Sequence, residues 1–453
     1  MGKTIAAVAT PEGLGGIGVV RVSGDGALAV ADKVFKSVSG KTLCEQKGYT
    51  ALFGHVFDGE KTIDEAVALI FRAPKSYTGE DTVELSVHGG AYVVRQVLRA
   101  VLSAGAQMAE RGEFTRRAFQ NGKMNLTEAE AVIDIISADG EQALRASMAA
   151  KKGAIFKKCA EIKENLTFAA ATVSAFSDFP DEEPEFSGID QLESMLTDSE
   201  AQLDKLCSDY DTGRMIRRGI NTVIVGPPNA GKSTLMNLLV GCERSIVTSI
   251  AGTTRDIIEE TVSLDGVVLR LSDTAGLRET DDEVEQIGVR LTREKIDYAD
   301  LIIAVIDSAD AEKKEIAELL DGIKNRSAVV VFNKSDLAVA NTDVAVSRGL
   351  EFVEMSAKEG LGLEKFTELV KSVTGTANLS GESAVYLNER QRDCAQRAHA
   401  SVKEALIALQ CGMTVDAVGV CLDDALSALM ELSGERVTVE VANKVFEHFC
   451  VGK

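Results

Sequence analysis

The chain has 453 residues, and because domains usually have roughly 100 to 200 residues, we expect about three. Hydrophobic residues make up 45% of it and charged residues 26%, which are proportions of folded protein and exclude a disordered chain. The net charge of −21 excludes a general nucleic-acid coat, because neutralising phosphates needs a surplus of Lys and Arg. Any contact with RNA must therefore be local or shared with a partner.

The sequence carries no sign of export or of a membrane anchor. Its apolar runs are far shorter than the roughly 18 residues that a membrane span needs, and its first residues lack a leader or lipid-attachment signal. The eight cysteines are scattered, without CxxC pairs or Cys/His metal-ligand spacing. We expect a cytoplasmic protein with reduced thiols and no membrane association.

The N-terminal part, residues 1–118, alternates short β-type runs (TIAAVA, GIGVVRVSG, TVELSVHGG) with helical stretches, which predicts an α+β domain. Residues 119–218 are almost wholly helical in character, as in LTEAEAVIDIISAD, where apolar residues recur at three-to-four spacing. Strands and helices alternate over 219–376, which predicts a mainly parallel sheet covered by helices. Helical character resumes over 377–453. The α/β domain is thus predicted to interrupt a discontinuous helical domain.

A phosphate-binding loop is indicated by GPPNAGKS, which follows the strand-like run TVIV, precedes a helical stretch and fits G-x-x-x-x-G-K-[ST]. The glycines let backbone N–H groups face phosphates at a helix N-terminus, Lys232 supplies a positive charge, and Ser233 can ligate Mg²⁺. The predicted nucleotide-binding residues of this loop are Asn229, Ala230, Gly231, Lys232, Ser233 and Thr234.

Guanine recognition is indicated by NKSD, directly after the apolar run AVVVF. Asp336 can accept two hydrogen bonds from the guanine edge, an arrangement that adenine cannot match, so the nucleotide is expected to be GTP. The tripeptide SAK follows a further strand-like run and is expected to touch the guanine oxygen. The predicted residues of these two loops are Asn333, Lys334, Asp336, Ser356, Ala357 and Lys358.

Two further segments fit the switch regions of a GTPase. In TSIAGTTRD, Thr254 is a predicted second Mg²⁺ ligand, and in DTAGLRET, Asp273 is a carboxylate near Mg²⁺ and Gly276 a backbone donor to the γ-phosphate. Leu277 stands where a GTPase is expected to carry its water-orienting side chain, which leaves open whether the chain is an enzyme or a nucleotide-gated clamp. The other predicted nucleotide-binding residues here are Thr248, Thr253, Thr274 and Ala275.

Taken in order, GIGVVRVSG, YTGEDTVEL, GEFTRRAFQNGK, GPPNAGKS, AGTTRD, DTAGLRET, NKSD and FCVGK resemble the MnmE (TrmE) family, GTPases that help to modify the wobble uridine of certain tRNAs. The likeness covers essentially the whole chain. It implies a multidomain protein with an α+β, folate-binding-like N-terminal domain that also dimerises. It further implies an α-helical domain interrupted by an inserted α/β P-loop GTPase domain of the Ras-like type.

The resemblance implies that potassium supplies the missing positive charge, and that a glutamate downstream of DTAG, Glu285, orients the water. Two alternatives remain open: Glu285 as one acid among several on a solvated helix start, and Arg255 or Arg278 as an arginine finger in cis. By the same resemblance, the potassium ligands are Asn229, Thr248, Ile250 and Thr253.

For the N-terminal domain, the resemblance implies a 5,10-methylene- or 5-formyl-tetrahydrofolate held by Arg21, Glu84, Lys123 and Lys453. A carboxylate such as Glu84 can clamp the two donors on the pterin edge. Cys450 of the terminal FCVGK is implied as a nucleophile or acid. From residue types alone, Arg21 and Glu84 are more often strand surface residues, and Cys450 a small buried hydrophobe.

The function implied is a potassium-activated GTP hydrolase that acts as a homodimer with an FAD-containing MnmG/GidA-type partner, in a heterotetramer. Together they form 5-carboxymethylaminomethyl or aminomethyl uridine at the wobble position of tRNA. The alternative is a GTP-gated binding factor, such as a ribosome-assembly switch, without modification chemistry. A third reading is a folate-dependent transferase that is regulated by GTP and acts on a small molecule.

Overall fold

The fold is taken from a computed structural model, which describes residues 3–11, 13–178, 186–242, 259–272, 296–376 and 386–453. The chain divides into two compact units, Met1–Ile133 with Ser433–Lys453 and Asp134–Leu432. The finer boundaries of three domains stay a prediction. In the described part of the chain, no helix has the length and apolar character needed to cross a membrane.

The secondary structure of the described residues follows the chain from an N-terminal sheet, through helices and a second sheet, to C-terminal helices. The strands are β1 Ile5–Val8, β2 Ile17–Ser23, β3 Phe35–Ser37, β4 Thr50–Asp58, β5 Lys61–Phe71, β6 Thr82–His88, β7 Gln107–Met108, β8 Ile220–Val225, β9 Glu259–Leu264, β10 Val267–Ser272, β11 Leu301–Asp307, β12 Ala328–Asn333 and β13 Glu351–Glu354. The helices are α1 Ala27–Val34, α2 Ala91–Ser103, α3 Glu113–Gln120, α4 Leu126–Ile136, α5 Glu141–Lys151, α6 Ala154–Asp178, α7 Phe186–Ser208, α8 Tyr210–Arg218, α9 Lys232–Cys242, α10 Lys314–Ile323, α11 Asp343–Val346, α12 Leu363–Val373, α13 Glu389–Gln410, α14 Val415–Ser433 and α15 Val439–Glu447.

The first unit is built on a seven-stranded sheet of order β3-β4-β5-β6-β2-β1-β7, antiparallel except between β1 and β7. Side chains of a strand point alternately to its two faces, so Val20 and Val22 of β2 are buried in one core with residues of α1 and α2. Arg21 lies between them in sequence and faces the opposite side, directly across from Glu84 of β6.

The end of the chain belongs to this same unit. Phe446 and Phe449 are buried beside the Phe119 and Leu126 side chains in a small cluster. Beyond them, Val451 forms a single antiparallel bridge with Arg111, which leads the last residues along the N-terminal fold.

In the second unit, α6, α7, α13 and α14 share one core. Along α6 the buried residues recur every three or four positions, as the sequence periodicity predicts. The helical character predicted for the C-terminal part is confirmed from Asn388 onward, where Asn388 caps α13. Its side chain accepts from the Gln391 backbone N–H, and the Gln391 side chain accepts from that of Asn388.

The second sheet has the order β13-β12-β11-β8-β10-β9 and is parallel except for β9. The apolar runs LIIAVID and AVVVFN form its central strands β11 and β12, which are almost completely buried because helices cover both faces. Asp265 and Gly266 form the tight link between β9 and β10, with φ of 46° and 86°. The predicted multidomain class is therefore confirmed.

Candidate functional site

The predicted phosphate-binding loop lies between β8 and α9, at the carboxyl edge of the second sheet. Gly226 and Gly231 have φ of 148° and 94°. A Cβ on Gly226 would lie 2.1 Å from the carbonyl oxygen of Val305, and one on Gly231 would lie 2.1 Å from Nδ2 of Asn333. Only glycine fits at either place. The turn therefore brings the backbone close to its neighbours and ends at a helix N-terminus, where anions bind.

Lys232 is the first residue of α9 and folds back over this loop. Its Nζ donates to the carbonyl oxygens of Gly226 and Pro227, both at 2.8 Å. Burial lowers the pKa of Lys232 below its ordinary value, because the charged amine loses hydration. Ser233 and Thr234 are exposed residues at the start of the helix. Ser233 is thus accessible to Mg²⁺, as its predicted role requires.

Asn333, at the end of β12, connects three of the predicted motifs. Its Nδ2 donates to the carbonyl of Ala230 at 2.9 Å, and its Oδ1 accepts from the N–H of Ala357 at 2.9 Å. Its own carbonyl accepts from the Ser308 hydroxyl at 2.7 Å. The side chain is buried, with 3% exposure. Asn333 therefore holds the phosphate loop, the NKSD loop and the SAK loop together.

The guanine side of the site is open to solvent. Asp336 and Lys358 are exposed, whereas Ser356 and Ala357 are buried. The backbone N–H of Ser335 donates to the carbonyl of Met355 at 3.1 Å, which ties the two loops together. Asp336 therefore has the accessible carboxylate that recognition of guanine requires.

An ion pair between Lys334 and Asp307 lies at the same edge of the sheet and was missed by sequence reasoning. Nζ of Lys334 is 2.6 Å from Oδ2 of Asp307, the last residue of β11, and 2.9 Å from the carbonyl oxygen of Asn229. The signal available in the sequence was the single acid that ends the otherwise apolar LIIAVID.

Part of the predicted site lies outside the described residues, including Arg255, Leu277 and Arg278. The other predicted site residues in that part are Thr248, Ile250, Thr253, Thr254, Asp273, Thr274, Ala275, Gly276 and Glu285. The described residues contain no group of three or more His, Cys, Asp or Glu side chains that could hold a metal. Of the two predicted Mg²⁺ ligands, Ser233 lies among the described residues. Of the predicted potassium ligands, Asn229 lies among the described residues, and its side chain is exposed.

A separate constellation lies on the open face of the N-terminal sheet. Arg21 and Glu84 are directly opposite in β2 and β6, and both Nε and Nη2 of Arg21 are 2.8 Å from Oε1 of Glu84. The guanidinium carbon is 5.7 Å from the Tyr77 ring centroid and 5.6 Å from that of Phe114. Both rings are within cation–π range, so Arg21 is held in a fixed, half-buried position. Sequence reasoning missed these aromatics, although they lie in YTGEDTVEL and GEFTRRAFQNGK.

The C-terminal tail reaches this constellation. Nη1 of Arg21 donates to the carbonyl of Gly452 at 3.1 Å. Burial, and then the charge of Arg21, lowers the pKa of Lys453. Arg21, Glu84 and Lys453 are thus brought together as predicted. The Cys450 side chain is exposed, so the reading of it as a buried hydrophobe is wrong.

Lys123 does not join these three in the described structure. Its Nζ donates to the carbonyl of Pro74 at 2.9 Å, on the exposed surface. Its assignment to the folate stays a prediction.

Comparison with known protein families gives one match over the N-terminal residues and another over most of the remaining chain. Residues 4–123 match the family described as GTP-binding protein TrmE N-terminus, and residues 126–450 match the MnmE helical domain. Three proteins named tRNA modification GTPase MnmE align over nearly their full length. The protein of Clostridioides difficile (strain 630) is 38% identical and that of Lachnoclostridium phytofermentans 41%, each with 99% of both chains covered. The protein of Heliobacterium modesticaldum is 42% identical with 100% of both chains covered.

Proposed function

Because the chain belongs to the MnmE family of tRNA modification GTPases and is a GTP hydrolase, we propose that potassium activates its turnover and that this turnover serves modification of the wobble uridine. The proposal extends to a homodimer that works with an FAD-containing MnmG/GidA-type partner on tRNA. The product would be 5-carboxymethylaminomethyl or aminomethyl uridine. The net charge of −21 supports a shared RNA-binding surface rather than an independent one.

The potassium proposal is supported by the phosphate loop. Asn229 has a left-handed backbone with φ of 61°, its carbonyl is held by Lys334, and its side chain is exposed where a cation can reach it. A fixed cation beside the phosphates supplies positive charge that stabilises the transition state. In this proposal the side chain of Asn229 helps to hold that ion and Glu285 aims the water, which explains why Leu277 is tolerated.

The observation that carries the modification proposal is the position of the C-terminal tail against Arg21 and Glu84. A GTP-gated assembly factor has no need of this arrangement. Both bonds from Arg21 end on Oε1 of Glu84, so Oε2 is the oxygen that would accept from a pterin edge. A bound tetrahydrofolate, in its 5,10-methylene or 5-formyl form, supplies the one-carbon unit. Arg21 and Lys453 provide positive charge beside it, and Cys450 presents an accessible thiol.

The catalytic part is tested by initial rates of GTP hydrolysis in matched KCl and NaCl solutions. We expect turnover at least tenfold faster in KCl, and a loss of roughly a hundredfold in Glu285→Ala, since a positioned group that acts on the water contributes on that order. Glu283→Ala removes a neighbouring acid of the same DDEVE stretch and is expected to keep the wild-type rate.

Equal and slow rates in both salts would favour the GTP-gated binding factor and would remove the potassium ligand assignments. Equal losses in Glu283→Ala and Glu285→Ala would instead assign this stretch to a solvated, non-catalytic helix start.

A further inference from the structure

The two nucleotide-binding loops are joined by a lysine whose conformation requires support. Lys334 has φ of 62°, a region that residues other than glycine rarely adopt. Its long side chain loses considerable rotamer freedom when it is fixed in one place. Nevertheless, its Nζ reaches back to the carbonyl oxygen of Asn229 at 2.9 Å. Asn229 is itself left-handed, with φ of 61°. The contact of Lys334 with Asn229 therefore requires a second group that holds the Lys334 ammonium in position.

Asp307 lies where its carboxylate can hold the Lys334 ammonium. It ends β11, directly opposite Asn333 of β12, and β11 also pairs with β8, which leads into the phosphate loop. Its two carboxylate oxygens have different partners. Oδ2 is 2.6 Å from Nζ of Lys334, and Oδ1 accepts from the backbone N–H of Ala309 at 3.1 Å.

The environment keeps Asp307 charged. Burial raises the pKa of its carboxyl, but the hydrogen bonds from Lys334 and Ala309 outweigh this and hold the pKa below its ordinary value. The side chain is only 20% exposed, and that of Lys334 is 34% exposed, so water screens the pair incompletely. A charge-assisted hydrogen bond of this length is among the stronger ones in proteins.

We propose that Asp307 is a positioning residue of the GTPase site, whose carboxylate fixes the Lys334 ammonium against the carbonyl of Asn229. In this way it joins the guanine-binding loop to the phosphate-binding loop. Asp307 acts through Lys334 and does not itself touch the nucleotide. Its loss should therefore weaken GDP and GTP to a similar extent, chiefly through faster dissociation, and leave the choice of base to Asp336.

The test is the affinity of purified full-length protein for mant-GDP and mant-GTPγS, measured by fluorescence titration and stopped-flow dissociation. Asp307→Asn keeps the shape of the side chain and an oxygen for Ala309, and we expect it to weaken both nucleotides roughly tenfold. The matched control is Asp310→Asn. That carboxylate lies in the same segment, with Oδ2 2.8 Å from Nζ of the exposed Lys313, and its loss should leave both affinities within twofold of wild type.

A double-mutant cycle separates positioning from a general structural role. If Asp307 acts through Lys334, then Asp307→Asn combined with Lys334→Met should bind no more weakly than Lys334→Met alone. Additive losses, or an Asp307→Asn affinity within twofold of wild type, would overturn the proposal. So would a change in the ratio of GDP to IDP affinity, since inosine lacks the amine that Asp336 recognises.

Folding is checked by thermal unfolding without nucleotide, in which Asp307→Asn should keep a cooperative transition with a midpoint somewhat below that of Asp310→Asn, because it loses the less exposed ion pair. If Asp307→Asn does not fold, Asp307→Ser provides the same cycle. A serine hydroxyl can still accept from Ala309 but cannot neutralise Lys334. Wild-type affinity in Asp307→Ser would equally refute the positioning role.

Discussion

At the scale of single residues, Gly231 is tightly constrained within the described part of the nucleotide site. A Cβ there would lie 2.1 Å from Nδ2 of Asn333, and the backbone has φ of 94°. Gly231→Ala must therefore displace Asn333 from its buried bonds to Ala230 and Ala357. We expect a loss of roughly 2 kcal/mol or more in stability, because buried polar groups lose partners and the backbone is strained. GDP binding should fall with it.

The measurement is the unfolding transition that shifts upward when GDP is added, since that transition reports the nucleotide-binding part of the chain. Gly322→Ala is the matched control. Gly322 lies in α10, has no atom within 4 Å of an added Cβ and lacks a positive φ. Alanine there should be neutral or stabilising by up to about 1 kcal/mol. A normal transition and normal GDP affinity in Gly231→Ala would show that the Asn333 side chain can move aside without loss of stability or of GDP binding.

How much of this site the sequence could predict depends on the kind of contact. The phosphate loop and NKSD were predictable because glycine, lysine and aspartate at fixed spacing follow directly from what phosphates and guanine demand. The bonds of Asn333 to Ala230 and Ala357, and the pairing of Asp307 with Lys334, join residues far apart in the chain. Such contacts arise only from strand order, which no local pattern specifies.

At the scale of elements, the short helix α8 is held by an ion pair near the point where the chain leads from α8 into β8. Its Arg214 places Nη2 2.6 Å from Oδ1 of Asp300, the residue before β11, while Asn221 N–H donates to Oδ2 of Asp300 at 3.1 Å. The hydrogen bond to Asp300 raises the pKa of Arg214 further above its ordinary value. Arg214→Met keeps the apolar part of the side chain but removes the charged partner of the nearly buried Asp300 carboxylate. We expect a destabilisation of about 1–3 kcal/mol, between the values for exposed and buried pairs.

Urea unfolding of the nucleotide-free protein measures this loss. Arg218→Met in the same helix removes an exposed arginine and should cost about 0.5 kcal/mol or less. If the two variants lost the same stability, the effect would belong to charge at the helix C-terminus rather than to Asp300.

Elements were predictable where their pattern was long and regular. The apolar runs of β8 and β12 and the helical character of α13 were expected from the sequence and are confirmed. The strands β3, β4 and β5 of the N-terminal sheet were not singled out. Their side chains alternate between a covered and an open face on which apolar residues such as Phe53 and Val67 are exposed, so no clean alternation of polar and apolar residues marks them.

At the scale of the whole molecule, the two ends of the chain fold into one compact unit. Composition and periodicity assigned residues 377–453 to the helical domain, and only the resemblance implied that FCVGK reaches the folate residues. Besides the burial of Phe446 and Phe449, the docking depends on close approach of the backbone. Gly112 and Gly452 have φ of 65° and 98°, and each lies against backbone or side chains that exclude a Cβ. Close approach of this kind leaves no periodic trace in a sequence.

Docking of the tail gives the last prediction, which concerns the proposed folate. A Cβ on Gly452 would lie 2.1 Å from the carbonyl oxygen of Val8, so Gly452→Ala should lift the tail from Arg21. If the tail and Arg21 hold the folate together, affinity for 5-formyltetrahydrofolate, measured by calorimetry, should fall at least roughly tenfold, as expected for the loss of one charge-assisted contact. Gly59→Ala supplies the control, since Gly59 also has a positive φ, of 61°, but has nothing within 4 Å of an added Cβ. The rate at which carboxypeptidase trims the C-terminus reports docking of the tail without any ligand. Faster trimming of Gly452→Ala with unchanged folate affinity would show that the tail docks but does not contribute to folate binding. Unchanged trimming would refute the docking argument itself.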